Sequence, residues 1–245
     1  MSKHVETAFA DGVMTLRLVR PEKRNAIDRA MYAAMADALR RAGDDADIRA
    51  VLIAGVPGAF SAGNDLMDFV AFGKGGPMDE VQDFLLALVA CEKPLVAAVD
   101  GLAVGIGTTL LLHCDLVYAT PRSTFRTPFV DLGLVPEAAS SLLAPRQMGT
   151  QNAFALLAMG ETFDSGAALA ARLVYAVTAE AEAEARSAAQ RLAAKPPEAL
   201  RLTRALMRGE RSEIETRIRG EIDHFTDRLR STEARSAFAA FFQRG

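Results

Sequence analysis

Apolar residues first gather in two short segments, Val5–Phe9 and Val13–Val19, on either side of Asp11-Gly12. An Asp-Gly pair favours a tight turn, so the chain is expected to open with two antiparallel strands. Asp28 can then cap a helix whose apolar side carries Met31, Met35, Ala38 and Leu39 and which ends near Gly43. The blocks Ala50–Gly55, Leu95–Val99 and Leu116–Thr120 are apolar without alternation, the pattern of strands covered on both faces. Between them, "VPGAFSAGND" reads as a loop, "AFGKGGP" as a glycine-rich patch, Met78–Cys91 as a helix, and Gly101–Gly107 as a glycine-rich turn passing into an apolar helix that reaches His113. Strand, turn and helix recur, which predicts an α/β core. Beyond Gly149 the texture becomes Ala-rich, charged and helical, interrupted by "AKPPEA" and a short strand over Arg172–Val177. A core over 1–190 and a helical region over 191–245 are therefore expected.

Composition narrows the function. The chain has 245 residues, half of them hydrophobic, enough for a sizeable core. Its net charge of -3 and lack of a Lys/Arg stripe argue against a nucleic-acid partner, and Arg201, Arg204, Arg208 and Arg211 are expected on a solvated face beside acids. Cys91 and Cys114 show no CxxC or His/Cys spacing, so buried free thiols are expected rather than a metal site or redox pair. The first residues lack a signal-peptide or transit pattern, no apolar run of about eighteen residues occurs, and the closing "FFQRG" is not a peroxisomal address. The expectation is a cytoplasmic protein without a membrane partner.

Three stretches could carry chemistry. In "LGLVPEAASS", Glu137 has two readings: an acid that starts a helix behind Pro136 at the first position, or a carboxylate retained in an apolar frame because something uses it. In "GAFSAGNDL", small residues let a ligand approach the main chain, and Asp65 can cap the next helix while the Asn64 amide points outward. The turn after Leu95–Val99 puts the amide of Ile106 at a helix start, so two donors could converge on one oxygen. Rival chemistries fit poorly. "GLAVGIG" lacks GxGxxG spacing, no tyrosine is followed four residues later by lysine, there is no GxSxG, and His113 suits a helix C-cap better than catalysis. Asp131 suits a turn or cap more than a second acid, and Asp164 or Ser165 can cap a helix.

Taken in order, "RPEKRNAID", "VLIAGVPGAFSAGNDL", "KPLVAAVDGLAVGIGTTLLLHCDLVYAT", "TFRTPFVDLGLVPEAASS" and "GETFDSGAALAARLV" resemble the crotonase (enoyl-CoA hydratase/isomerase) family, strongly over Glu6–Val177. The resemblance implies a spiral of ββα units, a C-terminal helical region that helps build a homotrimer or dimer of trimers, and acyl-CoA thioesters as substrates, with coenzyme A part of the substrate and no separate cofactor or metal. It places Lys23, Arg24, Ala26, Ala62, Gly63, Asn64, Asp65, Leu66 and Gly105 at the CoA site and assigns the oxyanion amides to Asn64 and Ile106. The two hydratase glutamates of the family correspond to Thr109 and Phe129 here, whereas Glu137 falls on the glutamate of the peroxisomal-type Δ3,Δ2-enoyl-CoA isomerases. A single-base isomerase is therefore expected. The alternatives are another crotonase-type reaction (hydratase, hydrolase, dehalogenase or dienoyl isomerase) and a catalytically silent CoA-ester binder. The loop from about Asp68 to Asp79 is expected to flank the acyl pocket.

Overall fold

The computed structural model describes residues 2–65, 67, 68, 72, 76 and 78–244, with side chains to 240. Leu66 and most of the expected acyl-pocket loop lie outside the described residues. Strands β1 (Val5–Ala10), β2 (Val13–Leu18), β3 (Ala50–Ala54), β4 (Ala59–Ser61), β5 (Leu95–Val99), β6 (Leu102–Val104), β7 (Leu116–Ala119), β8 (Thr124–Arg126), β9 (Phe163–Asp164) and β10 (Ala176–Val177) form two sheets. One has the order β1-β2-β3-β5-β7-β10 and the other β4-β6-β8-β9. The pairs β3/β4, β5/β6 and β7/β8 each put a strand in the large sheet and the next in the small one, and every large-sheet pairing after the β1–β2 hairpin is parallel. This repeat is the expected spiral.

The opening hairpin turns at Asp11 and Gly12, both with positive φ. Asp28 Oδ1 accepts from the Met31 amide at 2.9 Å and starts helix Arg29–Asp44, which buries Met31, Met35 and Leu39. A second apolar cluster brings Ala181, Ala185, Ala188 and Ala189 of helix Ala181–Ala193 against Val13, Leu52, Val96 and Tyr118 of the large sheet. Alanine at each contact lets that helix approach closely. Helix Arg211–Leu229 sends Ile214, Ile218, Ile222 and Phe225 into the main core, so this C-terminal element belongs to the same packed interior as the sheets.

Several expectations needed correction. The small sheet was missed because β4, β6 and β8 are three residues each and lie in segments rich in glycine or turn residues. The helix after Gly105 is α-helical only over Ile106–Thr109 and tightens to 3-10 geometry over Leu110–His113. The strand expected over Arg172–Val177 is confined to Ala176–Val177, because Arg172 adopts a left-handed turn with φ 64° and Leu173 and Val174 bury in the core. Arg204 and Arg208 are not on a solvated face: their side chains are 10% and 24% exposed and both pair with Asp115. Arg204 also donates to the Cys91 carbonyl, and Arg208 to that of His113, which ties helix Pro197–Arg208 to the core. Arg211 remains exposed and pairs with Glu215, while Arg201 is partly exposed and pairs with Glu198. The two cysteines are free thiols, Cys91 buried and Cys114 partly so, and burial pushes Cys114 up to about 12. Among the described residues no helix is long and apolar enough to cross a membrane.

Candidate active site

One wall of the site is main chain. The segment after β2 and the segment after β4 are laced together: Ala62 N–H donates to Arg24 O at 2.9 Å, Ile27 N–H to Gly63 O at 2.7 Å, and Asp65 N–H to Ile27 O at 2.9 Å. Asn25 is fully buried beneath this lacing. Its amide nitrogen donates to the carbonyls of Leu18, Ala59 and Phe60, and its Oδ1 accepts from the Arg20 amide. Arg20 pairs with Asp65 at 2.7 Å, and Asp65 Oδ1 accepts from the Met67 amide at 2.9 Å. Lys23 and Arg24 are exposed, while Ala26, Ala62, Gly63, Asn64 and Asp65 lie on the laced backbone itself.

Two glycines bring this wall against the turn after β6. Gly63 has φ +89°, and a Cβ there would lie 2.8 Å from Val104 O. Gly105 has φ +55°, and its Cβ position would be 4.0 Å from Gly63 Cα. The residues following these touching glycines are Asn64 and Ile106. Among the described residues neither of their amides donates a hydrogen bond, while the neighbouring amides of Gly63, Asp65, Gly105, Thr108 and Thr109 all do. Ile106 also opens its helix, so the positive end of that short helix adds to its amide. Tyr32 donates to Asn64 Oδ1 at 2.5 Å, which fixes the Asn64 side chain apart from its amide. Burial and the nearby Glu137 carboxylate raise the Tyr32 phenol well above its usual range, so it stays a neutral donor.

The opposite wall is a strained turn. Glu137 is 4% exposed; its Oε1 accepts from Thr109 Oγ1 at 2.6 Å and its Oε2 has no partner among the described residues. The carboxyl is thereby tied to the helix that opens with Ile106. Burial pushes Glu137 up to about 8; the Thr109 hydrogen bond works against this and the charge of Glu221 adds to it. Of the two readings of Glu137, the one that has it start a helix behind Pro136 is wrong: the helix begins at Ser140, and Ala138 and Ala139 intervene with φ of 61° and 54°. Two successive left-handed alanines are costly, on the order of 1–2 kcal/mol each, and persist only where surroundings impose them.

His113 is one such imposition. It is not a helix C-cap. Its ring is 2% exposed and its Nε2 lies 2.7 Å from Ala138 O, so the proton sits on that nitrogen, a carbonyl being only an acceptor. Burial lowers His113 to about 4 and keeps it neutral. Asp131 is no second acid: it is half-exposed and paired with Arg126 at 2.8 Å. Phe129, at a hydratase carboxylate position, is buried with its ring edge-on to Phe225. Asp164 caps helix Ser165–Ala170 through the Ala167 amide. Among the described residues no three His, Cys, Asp or Glu side chains are grouped to ligate an ion. The sequence pointed to Glu137, Asn64 and Ile106, but Arg20, Asn25, Tyr32 and Glu221 went unnoticed. Asn25, in "KRNAID" between two turns, was the one with a local signal, since asparagine tolerates the left-handed backbone it adopts at φ 56°.

Comparison with known proteins agrees with this architecture. The family model described as enoyl-CoA hydratase/isomerase matches residues 8–245. Human enoyl-CoA delta isomerase 2 is 34% identical over 244 residues, covering 96% of this chain and 62% of its own, so the chain spans under two thirds of that relative's length. An Arthrobacter 4-chlorobenzoyl coenzyme A dehalogenase is 31% identical, with 97% of this chain and 94% of its own covered. The crystal structure of an enoyl-CoA hydratase/isomerase from Pseudoalteromonas atlantica superposes with a TM-score of 0.94 at 40% identity, over 99% of this chain and 98% of that one. With its ββα spiral and a family match over nearly its whole length, the chain belongs to the enoyl-CoA hydratase/isomerase, or crotonase, family.

Proposed function

We propose that this protein is a Δ3,Δ2-enoyl-CoA isomerase in which Glu137 alone moves the proton. The observation that carries the reading is the buried Glu137 carboxyl, with one oxygen held by Thr109 and the other without a partner among the described residues, tied to the helix that opens with the Ile106 amide. Ionised Glu137 takes a proton from C2 of a 3-enoyl thioester. The C2–H electron pair moves into C1–C2 and the thioester carbonyl becomes an oxyanion held by the amides of Asn64 and Ile106. The resulting dienolate recovers a proton from Glu137 at C4, which leaves the double bond at C2 and regenerates the base. No water enters the balance. Hydration would call for a second carboxylate, and its family positions hold Thr109, whose hydroxyl serves Glu137, and buried Phe129. A base poised near 8 also suits abstraction of a weakly acidic α-proton near neutral pH.

The residues of the laced wall, with Lys23 and Arg24 at its rim, are proposed to hold the CoA portion. A dehalogenase-type reaction, in which a carboxylate attacks an aryl carbon, is the second reading, favoured by the Arthrobacter relative. The two separate in one assay. Isomerisation of 3-enoyl-CoA, followed by the ultraviolet absorbance of the conjugated product, is expected without release of halide from 4-chlorobenzoyl-CoA; the reverse pattern would reject the isomerase. We further propose a homotrimer or dimer of trimers, supported by Leu206 and Met207 standing 85% and 83% exposed on helix Pro197–Arg208. Sedimentation should show no stable monomer at micromolar concentration.

A further inference from the structure

Helix Ser140–Met148 starts behind Ala139, whose methyl cannot accept a hydrogen bond, and no local side chain caps it. The cap comes from far along the chain. Glu221, on helix Arg211–Leu229, accepts from the Ser141 amide at 3.0 Å and from Ser141 Oγ at 2.5 Å. Glu221 is 6% exposed, and its second oxygen has no partner. The left-handed pair Ala138-Ala139 is therefore gripped from two sides. His113 holds the Ala138 carbonyl and Glu221 holds the Ser141 amide just beyond the pair.

We propose that Glu221 is a positioning residue for Glu137: by capping the turn from the C-terminal helix it aims the Glu137 carboxyl. This rests on Glu137 being the base, as proposed above. Burying one carboxylate is costly, and burying a second within reach of its charge more so, which a purely structural cap would avoid by using serine or asparagine at position 139. The groups that face the pair are few. Glu137 meets Thr109, the neutral phenol of Tyr32 and the charge of Glu221. Glu221 meets Ser141 and Arg217, which itself donates to Ser141 Oγ at 3.2 Å. A cavity of about 810 Å³ behind Pro136 and Ser141 adds Glu210, Glu213 and His224 to the same wall, with Arg146 bound to Glu213. Ionised Glu221 opposes a second charge on Glu137, so losing it makes Glu137 easier to ionise.

The test uses Glu221→Gln, which keeps the shape and an acceptor, Glu221→Ala, which removes the cap, and Glu221→Asp, which keeps the charge on a shorter arm. In Glu221→Gln the rising limb of kcat/KM should move at least half a pH unit toward acid. In Glu221→Ala kcat should fall about 10- to 100-fold with KM changed less than threefold, as for misplacement of a reacting group. Glu221→Asp should retain the wild-type limb with a lower kcat, and it carries the test where the glutamine variant is too unstable to assay. A wild-type limb in Glu221→Gln, or wild-type kcat in Glu221→Ala or Glu221→Asp, would overturn the proposal. The Glu137 carboxyl can also be titrated without substrate, by the protonated-acid infrared band that Glu137→Gln removes. An acid shift of that band in Glu221→Gln, in a protein that does not isomerise 3-enoyl-CoA, would sink the isomerase reading and leave the Glu221 role standing; a fixed band in an active isomerase would do the reverse.

Discussion

The two walls of the site are built on opposite principles. The amide wall, Arg20–Asp28 with Ala62–Asp65, is densely hydrogen-bonded although Arg24 and Asn25 also take left-handed backbone: main-chain bonds lace it, and a buried asparagine satisfies three carbonyls beneath it. The Glu137 wall is strained and undersatisfied, with two left-handed alanines and three buried side-chain oxygens, on Glu137, Ser140 and Glu221, that have no partner. A donor that must stand still while charge develops benefits from saturation, because nothing has to reorganise. A base that must gain and lose a proton benefits from deprivation, because solvation would make it weak.

The largest effect expected of a single change falls on the deprived wall. Glu137→Gln should lower isomerisation by ~10²–10⁴-fold while thioester binding holds, since the amides are untouched. Wild-type hydration of 2-enoyl-CoA should be negligible in the same assay, and vigorous hydration would refute the one-base mechanism. The same substitution should stabilise the fold. Burial holds Glu137 near 8 against 4.5 for a free carboxyl, so the stability contributed by its neutral form is complete below about 4.5 and lost as pH rises through about 8. The melting temperature of Glu137→Gln should thus exceed that of wild type by a margin that widens from pH 5 to 9.

Next in size is an injury to the saturated wall. Gly63→Val combines a φ of +89° with a Cβ 2.8 Å from Val104 O, so the two glycine turns must separate. A displacement of even 1 Å can cost about 100-fold, and kcat/KM for 3-enoyl-CoA should fall by roughly that factor. Unchanged kinetics in a folded Gly63→Val protein would show that the amides do not act together.

Thr109→Val probes the junction of the walls. The Thr109 hydroxyl favours the ionised form of Glu137, so its removal should carry the rising limb of the pH profile above about 8. Activity at pH 7 should then drop by roughly tenfold, the consequence of a limb that lies about one pH unit higher. Activity should return at alkaline pH. A uniform loss at all pH values would mean that the hydroxyl only fills space.

The smallest effect should come from Tyr32→Phe. It frees the Asn64 side chain but not its amide, so kcat/KM should fall less than threefold. A large loss would move the oxyanion donor from the Asn64 main chain to its side chain.

What was legible in the sequence follows the same division. The saturated wall depends on neighbours: glycines, small residues and strand ends within a few positions announce a loop where backbone is exposed for use. Asn64 and Ile106 could be named from that context, and the resemblance made their roles specific. Glu137 was legible only as an acid in an apolar setting, and the helix assigned around it began four residues too early, since nothing local signals two left-handed alanines. Their restraints come from His113, 25 residues from the Ala138 it grips, and Glu221, 80 residues from the Ser141 it caps. Helix-end preferences describe local hydrogen bonds, so they assigned His113 to a cap on its own helix and gave Glu221 no role. The small sheet escaped for a similar reason: three-residue strands carry too few positions to show a period.

The alanine pair also limits how this protein can change. Ala138 and Ala139 have no exposed surface and occupy a backbone region that penalises every side chain with a Cβ. A larger residue at either position would meet both constraints at once, while glycine would meet neither and would instead loosen the grip on Glu137. Sequence drift through this segment therefore has one open door, and random libraries built across 137–141 should return alanine or glycine at the middle positions long before any third residue appears.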